Sequence, residues 1–260
     1  MSARRGCSPN EFAALERTKC YGRVTFVAYE QLPRDKSVAL RQKIASLTNP
    51  IMFSLQQLFG KGDKFYDLLE ASAEEAQHSV AVLGKILKQP AEATALEDFA
   101  LVRRKEKRIS EEISERLVDT FVTGLEREDI EELSNALYRI PKTVEKFAER
   151  YKISAGQLKG VSFSRQADLI EKSSATLVEM VKLLRKMPPL DQVKELNDKL
   201  QYFEGEADKV VLELLAELYS GKHDALRVII LRDLYDLLEK VTDRCRDAGN
   251  VISHIVMKNS

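Results

Sequence analysis

The C-terminal segment carries the sequence pattern that most restricts how this chain can fold. Apolar side chains recur there in steps of four and three: Leu234, Leu238, Val241, Cys245, Ala248, Ile252 and Ile255. A repeat of this kind aligns one seam of side chains along a single helix face. The pattern therefore predicts a long helix from Asp224 to Asn259 whose seam faces the core.

Carboxylates accompany this seam. Glu239 and Asp243 are four residues apart, and the preceding helical segment, Leu190 to Ser220, has the same spacing in Glu204 and Asp208. Residues four apart share a helix face, so an antiparallel hairpin joined at Gly221 would bring the four together. We call these four residues the acidic quartet.

Clustered carboxylates repel one another unless a cation or a basic partner lies between them. The quartet is therefore a candidate metal site, with Asp236 and Glu206 as weaker candidates. From the spacing alone, a solvated charged surface is the more usual explanation. Oxygen ligands suit Mg, Ca or Mn by their hardness, which leaves the identity of a divalent cation open.

Helical periodicity extends over most of the chain. It predicts six helices, at residues 63–88, 96–124, 126–151, 164–186, 190–220 and 224–259, with no strand from residue 60 onward. The second helix is expected to bury Leu101, Ile109, Ile113, Leu117 and Phe121. Pro141 lies inside the third and should kink it near Leu137. The expected fold is all-α, with two tandem antiparallel three-helix bundles at 52–155 and 156–260, divided at a loop with Gly156 and Gly160.

Residues 1–51 show no sustained period and include Pro9, Pro33 and Pro50. They are interpreted as a poorly ordered extension, and either Met52 is the true first residue or the extension is a regulatory or targeting arm.

The extension holds nine basic and four acidic residues, whereas the remainder holds 32 basic and 37 acidic residues. This mildly acidic remainder argues against nucleic-acid binding. Three cysteines and the lack of a long apolar run indicate a cytoplasmic protein.

Several stretches resemble one protein family. They are Phe65 to Glu70, Thr120-Phe121 with Glu126 to Ile130, Glu204 to Asp208, and Ala248 to Ser260. The resemblance is to the PhoU-related phosphate transport regulators, which are accessory to Pit-type inorganic phosphate transporters. It implies two PhoU-like bundles, a cytoplasmic protein at the inner face of the membrane, a Pit-type transporter as partner, and homo-oligomers.

The resemblance also implies metal clusters held by acidic motifs, and it associates them with iron. The quartet matches such motifs in the second bundle. In the first bundle the corresponding stretches are Arg103 to Arg108 and Tyr138 to Lys142, which lack the paired carboxylates. A metal is therefore expected in the second bundle only.

The basic run comprises Arg103, Arg104, Lys105, Lys107 and Arg108. It is interpreted first as surface charge that balances Glu111, Glu112 and Glu115. A docking patch for anionic lipid or for a cytoplasmic loop of the transporter is the sharper alternative.

No arrangement typical of an enzyme is visible in the sequence. Glu75 and His78 match half of a di-iron motif, but neither His223 nor His254 follows a glutamate by three residues. There is no phosphate-binding loop and no nucleophile motif. The leading interpretation is a non-enzymatic accessory protein of a phosphate transporter. The alternatives are a metal-dependent phosphohydrolase that uses the quartet, and a helical adaptor without a ligand.

Overall fold

A computed structural model describes residues 52–88 and 96–260, with side chains from Lys64 to Lys88 and from Glu97 onward. It contains six α-helices: α1 (Met52–Lys88), α2 (Leu96–Asp119), α3 (Arg127–Ser154), α4 (Ser164–Leu184), α5 (Leu190–Leu218) and α6 (Ala225–Lys258). A short 3-10 turn, Ala155–Gln157, follows α3. These described residues include no strand, so the predicted all-α fold with six helices is confirmed. The predictions for 1–51 lie outside the described residues.

Two helix boundaries differ from the prediction by five residues or more. α1 begins at Met52 rather than Asp63, because the sequence between these residues contains no proline to stop it. α2 ends at Asp119 rather than Gly124. The β-branched residues that follow Asp119 disfavour further helix, and the Arg127 guanidinium donates hydrogen bonds to the carbonyls of Leu117 and Thr120.

The seam of α6 organises the fold as predicted. All seven of its residues, from Leu234 to Ile255, are fully buried or nearly so. α6 contacts α3, α4 and α5, and α4 also contacts α5. α3 in turn contacts α2, so α6 joins the first three helices to the last three. Residues Ser54–Ser260 form one compact unit around a continuous apolar core. The domain boundary between 155 and 156 stays a prediction.

The turn between α5 and α6 sets how the quartet residues face each other. Gly221 has a φ of +82°, which a residue with a side chain rarely adopts. Asp224 then begins α6, since its carboxylate accepts hydrogen bonds from the backbone amides of Leu226 (3.0 Å) and Arg227 (3.4 Å). This cap fixes where α6 starts and hence the register of its acidic residues against α5.

The buried stripe of α2 differs from the predicted one. Ile113 and Leu117 are buried as expected, but Leu101 is 48% exposed and Phe121, beyond the helix end, is 94% exposed. The stripe instead contains Phe99, Val102 and Glu106, all at most 2% exposed. α3 continues through Pro141, which is itself buried, and the kink near Leu137 stays a prediction.

Candidate functional site

The hairpin of α5 and α6 brings the acidic quartet to one place, and a basic residue joins it. Arg246, on the same helix as Asp243, forms an ion pair with Glu204 on α5. Its guanidinium also lies 3.6 Å from Asp243 and 3.0 Å from Asp247. One guanidinium therefore neutralises carboxylates of both helices at one end of the quartet.

The other end of the quartet is neutralised in another way. Burial, together with the nearby charges of Asp243 and Asp208, raises the pKa of Glu239 to about 7. Asp208 also lies within hydrogen-bonding reach of the Glu239 carboxyl group. Burial likewise raises the pKa of Asp243, although the positive charge of Arg246 opposes this effect. At neutral pH the Glu239 carboxyl group is therefore about half protonated, which relieves repulsion without a metal.

Of the weaker candidates, Asp236 lies near enough to Glu239 for its charge to raise the pKa of that carboxyl group. Asp236 is exposed and lies 3.8 Å from Arg232, and Glu206 forms an ion pair with Lys209 at 2.7 Å. Across the described ranges, no three His, Cys, Asp or Glu side chains converge closely enough to enclose a metal ion. Arg246 instead pairs with Glu204 and Asp243. Metal binding by the quartet stays a prediction.

The basic run is largely engaged within the protein. Arg103 pairs with Glu145 of α3, Lys105 lies 3.6 Å from Glu75 of α1, and Lys107 lies 3.4 Å from Glu111. Arg104 donates a hydrogen bond to the Ala100 carbonyl. Arg108 forms no ion pair or hydrogen bond with any residue that the structure describes. The balance of Lys107 by Glu111 agrees with the surface-charge interpretation, and docking by the run stays a prediction.

Glu106 is the titratable residue that sequence reasoning missed. Its side chain points from the basic run into the interface with α1, where it is 0% exposed and accepts a hydrogen bond of 2.6 Å from the Ser72 hydroxyl. Burial is the main cause that raises its pKa to about 7; the Ser72 hydrogen bond opposes the rise, and the nearby charge of Glu75 supports it. The periodicity of α2 could have found it, since Val102, Glu106 and Ile113 lie on one helix face.

Sequence reasoning also missed Arg246, although its position three residues after Asp243 placed it on the same helix face.

The seam cysteine, Cys245, matches its prediction. It is free and fully buried, and burial raises the pKa of its thiol to about 12. No helix in the described parts of the chain combines the length and apolar character that a membrane span requires.

Comparison with known sequences reveals distant relatives. No protein-family model matches the chain. "UPF0111 protein YkaA" of Bacillus subtilis (strain 168) is 25% identical over 143 residues, which cover 54% of this chain and 68% of that protein. The "Putative pit accessory protein" of Rhizobium meliloti (strain 1021) is 21% identical over 215 residues, which cover 78% of this chain and 97% of that protein.

Comparison with solved structures gives the same fold. A PhoU-like protein from Shewanella oneidensis MR-1 superposes with a TM-score of 0.66 at 13% identity, covering 75% of this chain and 99% of that one. A "putative PhoU-like phosphate regulatory protein" from the same organism gives a TM-score of 0.65 at 12% identity with the same coverage. The predicted resemblance and the PhoU-like fold are confirmed.

Proposed function

We propose that this chain is a regulatory accessory protein of a phosphate transporter of the Pit type. The observation that carries the proposal is the agreement of fold and sequence: the PhoU-like fold covers almost the whole of both Shewanella chains, and the match to the Rhizobium protein covers 97% of it. The proposed role is non-enzymatic, and the proposed location is the cytoplasmic face of the membrane, where the chain would act as a homo-oligomer.

The quartet offers a way for such a regulator to respond to a cation. Asp208 and Glu239 present oxygen ligands from facing helices, and Glu204 and Asp243 would complete the set if Arg246 released them. Oxygen donors of this kind suit a divalent cation such as Mg or Mn, and the family resemblance adds iron. We propose that cation and guanidinium compete for the same carboxylates, so that binding would change how α5 and α6 are held together.

Copurification tests the partnership. The full chain and a Pit-type transporter from the same organism would be coexpressed, extracted in detergent and purified through a tag on the transporter. We expect the chain to be retained with the transporter, and an unrelated tagged transporter serves as the control. Equal recovery with both transporters would contradict the proposal.

Metal analysis tests the quartet. We expect the full chain to bind a divalent cation stoichiometrically, as elemental analysis after dialysis measures it, and an Asp208→Asn/Asp243→Asn double variant to bind none. Arg246→Ala should raise the affinity about tenfold, because it frees two carboxylates from a competing cation. An Asp191→Asn/Asp198→Asn variant on exposed positions of α5 is the matched control.

Two outcomes would change this proposal. No metal in the parent chain or in Arg246→Ala would leave the quartet as a guanidinium-bridged surface and transporter docking as the whole function. Turnover of a generic phosphoester with Mg or Mn, lost in Glu239→Gln, would instead favour the phosphohydrolase.

A further inference from the structure

A cleft of about 610 Å³ lies between α3 and α6, and it shares Glu239 and Asp243 with the acidic quartet. One wall comes from the C-terminal half of α3 and the other from the middle of α6. Its charged lining residues are Arg139, Lys142, Lys146 and Arg150 on α3, and Asp233, Asp236, Glu239, Lys240, Asp243 and Arg244 on α6. We call this the α3/α6 cleft. Its lining has six basic and four acidic side chains, so it is net positive even with every carboxylate ionised.

The acidic side chains of the cleft are mostly neutralised by partners. Asp233 pairs with Arg150 across the cleft. Asp236 and Asp243 face arginines outside the lining, Arg232 at 3.8 Å and Arg246 at 3.6 Å. The negative charge of Asp236 and Asp243 is therefore partly offset by arginines outside the cleft.

Four cations of the cleft remain without a partner. Arg139, Lys142, Lys146 and Lys240 form no ion pair or hydrogen bond through their side chains with any other residue in the described ranges. The three on α3 follow each other at steps of three and four, so they lie along one face of the helix over roughly 10 Å. A row of unpaired cations in a concave surface attracts anions.

The neighbouring surface limits where such an anion can lie. A second cavity, of about 570 Å³, continues along the same two helices toward the N-terminus of α3 and shares Arg139 with the cleft. Glu128, Glu131 and Glu132 line it, and none of them forms an ion pair with another described residue. Their charges repel an anion from that end. The region favourable for an anion is therefore confined to the row from Arg139 to Lys146 on α3 and to Lys240 on the opposite wall.

We propose that the α3/α6 cleft binds a small, extended anion that carries two or more phosphate groups. A single phosphate could reach only one or two cations of a row about 10 Å long, whereas linked phosphates would reach several. Phosphoryl groups carry more charge and more acceptor oxygens than the carboxylates already lining the cleft, which suits arginine and lysine donors. The cleft volume lies in the range of small-molecule sites, about 300–1,000 Å³.

Calorimetric titration of the full chain with tripolyphosphate tests this inference. Divalent cations would first be removed, so that the result does not depend on a metal at the quartet or on a transporter. We expect tripolyphosphate to bind at least tenfold more tightly than orthophosphate or sulfate. Lys142→Gln/Lys146→Gln should lower that affinity at least tenfold, and added salt should weaken binding to the parent chain.

A matched variant separates a built site from general surface charge. Lys172→Gln/Lys194→Gln removes two exposed lysines that lie on α4 and α5, outside the cleft, and that have no side-chain partner in the described chain. It should bind tripolyphosphate as the parent does, and circular dichroism would verify that both variants fold. Equal losses in both double variants would overturn the inference, as would undetectable binding at about millimolar tripolyphosphate. A hexapeptide of aspartates that binds as tightly as tripolyphosphate would also overturn it.

Discussion

Glu106 carries a carboxyl group into the interface between α1 and α2, where one of its oxygens accepts a hydrogen bond of 2.6 Å from the Ser72 hydroxyl. The other oxygen has no hydrogen-bond partner among the described residues. An ionised carboxylate in such a place loses its hydration without full compensation, so burial holds its pKa at about 7. At the scale of single residues, Glu106 and Glu239 are carboxyl groups whose pKa is raised to about 7 in this fold.

The Glu106→Gln substitution should stabilise the protein at alkaline pH. Because the folded pKa is raised, the folded state retains a proton that the unfolded state releases, and stability falls as pH rises from about 4.5 to about 7. A shift of this size corresponds to roughly 3 kcal/mol above pH 7, which Gln would recover by mimicking the neutral carboxyl group. Urea unfolding at pH 5 and pH 8 measures the difference.

Glu115→Gln is the control for this prediction, since Glu115 is exposed on the same helix. It should change the unfolding free energy little at either pH. Equal pH dependence of stability in Glu106→Gln and the parent would show that the Glu106 carboxyl group does not carry the proton.

Three helices approach one another closely at Gly249. A β-carbon built there would lie 2.4 Å from the Cδ1 atom of Leu200 and 3.0 Å from the Oδ1 atom of Asn197, both on α5. It would also lie 3.6 Å from the sulfur of Met180 on α4. Leu200 is 1% exposed and has little room to move. The missing side chain thus lets α6 approach two helices at once, next to the seam and about two turns beyond the quartet.

The Gly249→Ala substitution should therefore destabilise the fold, by about 1–3 kcal/mol for an overpacked core. Gly205→Ala is a matched comparison, because Gly205 lies within α5 and a β-carbon there would meet nothing within 4 Å. That change should stabilise by roughly 0.5–1 kcal/mol, since alanine favours helix over glycine. Thermal unfolding of both variants measures the contrast, and a more stable Gly249→Ala would refute the close approach.

At the scale of the whole described fold, the first three helices are held to the last three along two contacts. The seam helix α6 packs against α3, and the N-terminus of α3 is tied to the end of α6 by Lys258, whose amino group lies 2.6 Å from the buried Asp129. On another side, Arg185 of α4 pairs with Asp67 and Glu70 of α1. Exposed ion pairs contribute little individually, so the apolar contact of α3 with α6 dominates.

Because this apolar core is continuous, residues Ser54–Ser260 should unfold in one cooperative transition. Differential scanning calorimetry should give a single peak whose calorimetric and van't Hoff enthalpies agree. Lys258→Ala should lower the midpoint by leaving the Asp129 carboxylate buried without its cation, and it should still give one peak. Two resolved transitions would instead indicate bundles that fold independently.

The sequence by itself determined the helices and the seam, because helical periodicity and capping are local properties that neighbouring residues carry. It also predicted that one hairpin places Glu204, Asp208, Glu239 and Asp243 together. Their four-residue spacing on each helix and the turn at Gly221 are enough to bring them close. Only the tertiary structure decided their electrostatic state, because Arg246 and the burial of Glu239 depend on how α5 and α6 pack. The same holds for Glu106 and for the α3/α6 cleft, since burial and unpaired charge depend on which helices face each other.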